Sequence, residues 1–170
     1  MITRSWIWGG VALLALVVGL GALQYAHAAT ATGKKPVNFT LTTVNNKKIS
    51  LSDYRGKVVV VDMWATWCGY CVREIPGLVA LQREATAAKQ PLQIIGVSVD
   101  ADRDDVRQFV AANKINYPIA YNDEKAMRPF GEVYGLPTKF IIDKQGVLVD
   151  KIIGAVEKDV LQKRLAPYLK

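Results

Sequence analysis

The chain has 170 residues, 51% of them hydrophobic, with 22 Lys and Arg against 15 Asp and Glu and a formal charge of +7. Once an apolar N-terminal stretch is set aside, that length gives one domain with a sizeable core and excludes a multidomain architecture. The basic residues are scattered (Lys34-Lys35, Lys47-Lys48, Lys144, Lys151, Lys163-Arg164), so they read as a solvated surface and no nucleic-acid partner is expected.

Trp6 to Leu23 is an uncharged, mostly apolar run of eighteen residues behind the single charge of Arg4, and no further charge precedes Lys34. The run exceeds the usual signal-peptide core of about 7–15 residues and nearly reaches the roughly 20 that span a bilayer. The expectation is an uncleaved anchor within residues 1–28. Cleavage at Ala26-His27-Ala28 is the alternative, and either way the domain faces away from the cytoplasm. Residues 29–36 form a small, polar linker to a domain over 37–170.

Phe39 to Leu41 and Lys48 to Leu51 predict short strands about the turn Val44 to Lys47, and Ser52-Asp53 and Gly56 mark the next turn. Val58 to Val61 is a β-branched run expected to be buried on both faces, ending at Asp62. It leads through Met63 to Trp67 into Cys68-Gly69-Tyr70-Cys71 and then into a helical pattern with Ile75, Leu78, Val79 and Leu81 inward, running to about Lys89 with a kink at Pro76. Gln93 to Val99 is a further buried strand. Asp100 to Asp105 caps a helix to about Asn113 with Val106, Phe109 and Val110 inward. A strand over Tyr117 to Ala120, a short helix over Glu124 to Tyr134 broken near Pro129, a hairpin of Lys139 to Ile142 with Val147 to Ile152, and a closing helix over Val156 to Leu169 with Val160, Leu161 and Leu165 inward complete the chain. The implied fold class is α/β, a mixed central sheet with helices on both faces.

The only two cysteines lie three apart where a strand hands over to a helix. Unpaired N–H groups and the dipole at a helix N-terminus favour an anion, here a Cys68 thiolate, while Cys71, one turn deeper, is placed to resolve whatever Cys68 attacks. A structural zinc site needs four Cys or His ligands, and the only histidine is His27. Val72 follows the second cysteine, so this is no C-x-x-C-H haem attachment site. No metal or other cofactor is expected.

Trp67-Cys68-x-x-Cys71 after a buried strand, with Pro76 beyond, resembles thioredoxin. The longer phrase from Phe39-Thr40-Leu41 through Leu51-Ser52-Asp53 and Gly56-Lys57-Val58 is similar to one branch of it, the TlpA-like (ResA/CcmG-type) thiol–disulfide oxidoreductases. Tyr134-Gly135-Leu136-Pro137-Thr138 and Phe140 to Asp143 resemble the same family's second active-site segment. The resemblance implies a thioredoxin-like fold with an added N-terminal β-hairpin and a central αβ insert. It also implies an extracytoplasmic enzyme that reduces protein disulfides such as those of apocytochrome c or copper-site proteins, drawing electrons from a membrane thiol donor.

By the same resemblance Pro137 matches the family's cis-proline, Asp62 the buried aspartate beneath the resolving cysteine, and Glu74 an active-site glutamate. Glu74 also follows Cys71 by three residues and shares its helix face. Each carboxylate is placed to exchange protons with the dithiol. The plainer readings are a strand-end cap for Asp62, an exposed helix position for Glu74 and a trans loop proline for Pro137. Trp64 and Trp67 are expected to pack against the site, Trp67 also shaping a docking surface.

Gly69-Tyr70 departs from the Gly-Pro of thioredoxins, which leaves a disulfide oxidase or isomerase of the same fold as the alternative. A copper-handling protein would need a third, downstream histidine ligand that the chain lacks. A thiol peroxidase would need a threonine three residues before its cysteine, whereas Thr66 lies two before Cys68.

Overall fold

The computed structural model describes residues 36–170. The expected anchor or signal segment over 1–28, and the linker up to residue 35, lie outside the described residues. Among the described residues no helix is long and apolar enough to cross a membrane.

β1 (Thr40–Thr42) and β2 (Lys48–Ser50) form the antiparallel hairpin, each close to its expected place. Asn46 adopts φ 58 in the connecting turn, a left-handed conformation that asparagine tolerates. Leu51 leaves the strand and opens a 3₁₀ turn (Leu51–Tyr54), because the Ser50 N–H is taken by Asp53 Oδ2 at 2.9 Å.

β3 (Val58–Trp64) is buried along its whole length and is the middle strand of five. β4 (Leu92–Ser98) runs parallel beside it and β5 (Ile119–Tyr121) parallel beside β4. On the other side β6 (Thr138–Ile142) is antiparallel to β3 and β7 (Leu148–Ile153) antiparallel to β6. The order β5-β4-β3-β6-β7 is the expected mixed sheet. β3 does not end at Asp62 as its sequence was read: Met63 and Trp64 continue the alternation and pack on opposite faces, so the aspartate lies inside the sheet.

The period of two divides the core. Val58, Val60 and Trp64 share one face with Ile94 and Ile141, covered by α1 (Gly69–Ala87), α2 (Arg103–Ala112) and α4 (Lys158–Leu169). Val59, Val61 and Met63 share the other with Ile95, Val97, Phe140 and Ile142. That face is covered by Phe39, Leu41 and Leu51 of the hairpin region and by Met127 and Phe130. Helices therefore lie on both faces, but unequally. The second face has only the short α3 (Glu124–Met127), followed by a 3₁₀ turn (Arg128–Phe130).

Local chemistry sets these limits. α2 starts at Arg103 because the Asp102 carboxylate accepts the N–H groups of Asp104 at 2.7 Å and Asp105 at 3.3 Å. The helix expected over Glu124 to Tyr134 breaks near Pro129, as expected, and does not resume beyond it. Pro129 has no N–H to continue it, and Gly131 turns the chain at φ 77. α4 corrects a further expectation: Leu161 and Leu165, spaced i and i+4, are wholly buried, whereas Val160, one step of 100° round the helix, is 43% exposed.

Leu165→Ala should therefore cost about 2–5 kcal/mol of unfolding free energy, and Val160→Ala less than about 0.5 kcal/mol, both read by urea denaturation. Equal costs would contradict this placement of α4.

Candidate active site

The strand-to-helix handover is fastened before the cysteines are reached. Asp100, beyond the end of β4, accepts the Thr66 N–H with both carboxylate oxygens at 3.1 Å and the Thr66 hydroxyl at 2.5 Å. Its Oδ2 also accepts the Ser98 hydroxyl at 2.7 Å. The approach Ala65-Thr66-Trp67 is thus pinned to the neighbouring strand. Cys68 follows as the N-cap of α1, where its Sγ accepts the Cys71 N–H at 3.2 Å. That N–H is one of the helix's unpaired donors, so the sulfur sits where negative charge is stabilised.

Cys68 and Cys71 are joined in a disulfide. Cys68 retains 8% exposure and Cys71 none. An incoming thiolate or disulfide can reach only the first sulfur, so the outer cysteine exchanges with partners and the inner one closes the ring.

The surface around the pair is aromatic. Trp67 is 71% exposed and Tyr70 64%, the Tyr70 ring lying 4.3 Å beneath the Arg73 guanidinium. The expectation that both tryptophans pack against the site holds for Trp64, which is buried, and fails for Trp67. Trp67 has no strand alternation to turn it inward and points to solvent.

Leu136 packs against the apolar cluster that contains both cysteines, and the Leu136–Pro137 peptide bond is cis. The loop is closed by the Thr138 hydroxyl donating to the Gly135 carbonyl at 2.7 Å and by the Gly154 N–H donating to the Pro137 carbonyl at 2.8 Å. Beside it opens a cleft of about 900 Å³ lined by Met63, Val99, Met127, Tyr134 and Leu136.

On the sheet face whose apolar cluster contains the disulfide lies a buried charged cluster. Asp62 is 2% exposed and Glu74 8%, and Lys139 has no exposed surface at all. Asp62 and Lys139 are directly paired across β3 and β6, and on the other side of Asp62 stands Gly96 of β4, which has no side chain. Lys139 Nζ donates to Glu74 Oε1 in a short contact and lies 3.3 Å from Asp62 Oδ1. The approach to Asp62 lacks hydrogen-bond alignment and leaves Oδ1 without a hydrogen-bond partner. Glu74 Oε2 accepts the Val156 N–H at 3.1 Å.

Burial pushes the Asp62 carboxyl up to about 7 against the pull of Lys139, with the Glu74 charge adding to the rise. Burial likewise raises Glu74, again opposed by Lys139. The Tyr117 phenol is held well above its ordinary value by burial and by both carboxylates.

The structure thus brings Cys68, Cys71, Asp62, Glu74 and Pro137 to one end of β3 and its neighbours. Neither plain reading of the carboxylates fits, since Asp62 is no strand-end cap and Glu74 is not exposed. Sequence reasoning places Lys139 only at the start of a strand and does not assign it to the site. The signal was present, because a lysine beside Phe140-Ile141-Ile142 in a sheet buried on both faces must meet a carboxylate. Among the described residues no group of three or more His, Cys, Asp or Glu is placed to hold a metal ion.

A family model described as the AhpC/TSA family matches residues 32–151. A thiol-disulfide oxidoreductase ResA from Bacillus cereus is 35% identical over 130 residues, 76% of this chain and 74% of its own length. The thioredoxin-like protein YneN of Bacillus subtilis is 29% identical over 167 residues, 95% of this chain and 97% of its own. Among solved structures, a thioredoxin-family thiol:disulfide interchange protein from Chlorobium tepidum superposes with a TM-score of 0.74 at 28% identity, covering 81% of this chain and 97% of its own. With the disulfide at the mouth of α1 and this likeness over most of its length, the chain belongs to the AhpC/TSA family, as a thioredoxin-fold thiol–disulfide oxidoreductase of the ResA kind.

Proposed function

We propose that this oxidoreductase works as a reductase of protein disulfides outside the cytoplasm, held at the membrane by residues 6–23, with residues 29–36 as its tether and 37–170 as its redox domain. The observation that carries the reading is the unequal access of the two cysteines, Cys68 retaining 8% exposure between the exposed Trp67 and Tyr70 of the sequence and Cys71 none. The Cys68 thiolate attacks a substrate disulfide and expels one substrate sulfur as a thiolate. Cys71 then attacks Cys68 Sγ, forms the internal disulfide and releases the second substrate thiolate. Two electrons pass to the substrate, and the domain ends as the disulfide seen here.

Trp67, Tyr70 and the Leu136-Pro137 loop offer an apolar seat for an unfolded or extended segment rather than for a small thiol. That fits substrates of the kind the sequence resemblance implies, such as apocytochrome c or copper-site proteins, with electrons resupplied by a membrane thiol donor. Thr66 supports disulfide exchange over peroxide chemistry, since Asp100 engages its hydroxyl and its N–H.

In cells, Cys71→Ser should accumulate mixed disulfides between Cys68 and partner proteins, visible on non-reducing gels, and Cys68→Ser far fewer. Equal yields would overturn the assignment of attacking and resolving sulfurs.

The direction of transfer follows from charge. The helix terminus favours the Cys68 thiolate, the carboxylates below oppose it, and no histidine lies between the cysteines. Equilibration with glutathione buffers should give a potential nearer about −270 mV than about −120 mV. A value above about −180 mV would replace the reductase reading with that of an isomerase.

Carbonate washing of membranes should leave the full-length chain in the pellet. A soluble form beginning at Ala29 would establish a cleaved signal instead, and a domain reachable only from the cytoplasm would defeat both.

A further inference from the structure

The two ends of the sheet differ in charge. Asp100, Asp102, Asp104 and Asp105 follow β4, and Asp123 and Glu124 follow β5, all at the end that carries the dithiol. Arg107 of that end is paired with Asp104. At the opposite end β3 and β4 begin side by side, Val58 paired with Leu92. There Arg55 and Lys57, from the turn before β3, and Lys89, from the end of α1, line one open hollow. It measures about 630 Å³ and is completed by Gln82, Gln90 and Gln93. All three cations are exposed, and among the described residues none of them is in an ion pair.

The acidic side chains in the flanking turns are engaged by backbone. Asp53 Oδ2 accepts the Ser50 N–H, and Asp143 Oδ1 accepts those of Gln145 and Val147 at 3.0 and 2.8 Å. Lys144 donates to the Leu169 and Lys170 carbonyls, so it serves the end of α4 rather than the hollow. Lys89 also lies off the C-terminus of α1, where a cation complements the helix dipole. That reading leaves Arg55 and Lys57 unexplained, and Lys89 holds φ 52, a left-handed conformation that favours glycine.

The chain enters the domain at this same end. Val37 donates its N–H to the Gly146 carbonyl at 2.9 Å, and Arg55 Nη2 donates to the Val37 carbonyl at 3.4 Å. In the sequence Lys34 and Lys35 stand just ahead.

We propose that the redox domain docks on an anionic phospholipid surface through Arg55, Lys57 and Lys89, with the dithiol end turned away. The proposal rests on the membrane-held reading above. Unpaired cations beside the point where a membrane tether arrives match a surface of phosphate groups, which repels the carboxylates of the far end. Extended, residues 29–36 reach at most about 28 Å, short enough to keep this end beside the bilayer. Each cation near such a surface multiplies the docked population roughly fivefold at low salt, so docking is reversible. β3 alone separates the two ends by about 20 Å. The docked domain therefore holds Cys68 out toward soluble substrates and lets go to meet a donor within the membrane.

The test uses the full chain in lipid nanodiscs, one set of phosphatidylcholine and one with about a third phosphatidylglycerol. A water-soluble acylating reagent is applied at low salt, and modification of each lysine is followed by mass spectrometry. On the anionic discs Lys57 and Lys89 should react at least about fivefold more slowly than on the zwitterionic ones. Lys125, at the dithiol end, should react equally on both. Salt at about 0.5 M should restore the two slowed rates by screening. Equal rates on the two kinds of disc would overturn the proposal, as would protection that survives the salt.

Lys57→Glu, at an exposed position, should return the Lys89 rate on anionic discs toward its zwitterionic value, and an unchanged rate would refute a shared surface. Protection by duplex DNA in detergent, with none on anionic discs, would give this end to nucleic acid instead. A chain that stays in carbonate-washed membranes with both lysines unprotected sinks the docking and spares the anchor. If the chain is cleaved before Ala29, the anchor reading fails alone. The same footprint on the processed form with excess anionic vesicles then decides, protection upholding the docking and its absence overturning it.

Discussion

An ammonium group with no exposed surface exists in a fold only where carboxylates meet it, and this requirement ties the molecule together at Lys139. The lysine comes from β6, Asp62 from β3 and Glu74 from α1, so one ion cluster joins the central strand, its antiparallel neighbour and the helix that carries the cysteines. Such a cluster adds little net stability over an apolar replacement, but it is costly to leave incomplete: removing one partner of a buried pair costs about 3–5 kcal/mol. Its contribution is therefore to register. Asp62 and Lys139 can meet only if β3 and β6 pair as they do, and that pairing sets Thr138, and with it the Pro137 loop, beside Met63.

The unequal covering of the sheet follows from the same arrangement. The face bearing the ion cluster also bears the three longer helices and the disulfide, all drawing on Val58, Val60, Trp64 and Ile141. The opposite face is closed by short pieces, the hairpin, two 3₁₀ turns and α3, packed through Phe39, Phe130 and Phe140 with ring centroids 5.8 and 5.2 Å apart. The cleft lined by Met63 and Leu136 opens where these short pieces meet the active-site loop.

Much of this was legible beforehand because it rests on local pattern. The run Val58 to Val61 identified the central strand, the spacing of Cys68 and Cys71 the chemistry, and the periodicity after Cys71 the helix. Leu161 and Leu165 were read correctly and Val160 wrongly, because a short amphipathic helix leaves its facing ambiguous by one position. The break near Pro129 is legible in the sequence, and only the residues beyond it depart from the helical pattern, where Gly131 turns the chain. For Lys139 the local sequence implies a carboxylate partner but not which one: Asp62 and Glu74 lie 77 and 65 residues away in sequence, and only the sheet and α1 bring them to it.

The stretch Gly154-Ala155-Val156 carries no reactive side chain, yet two fastenings end on it. Its first N–H holds the Pro137 carbonyl and its last holds Glu74 Oε2, at 2.8 and 3.1 Å. Both donors are main-chain N–H groups. Gly154, at φ 93, holds a conformation that disfavours any side chain, whereas ordinary substitutions at Ala155 and Val156 that keep the backbone path leave both donors in place. A change of length does not, because adding or losing one residue between β7 and α4 shifts both donors at once. Beyond its one glycine the clasp is indifferent to composition and strict about count, so this plain connection tolerates changes of spelling after Gly154 but no insertions.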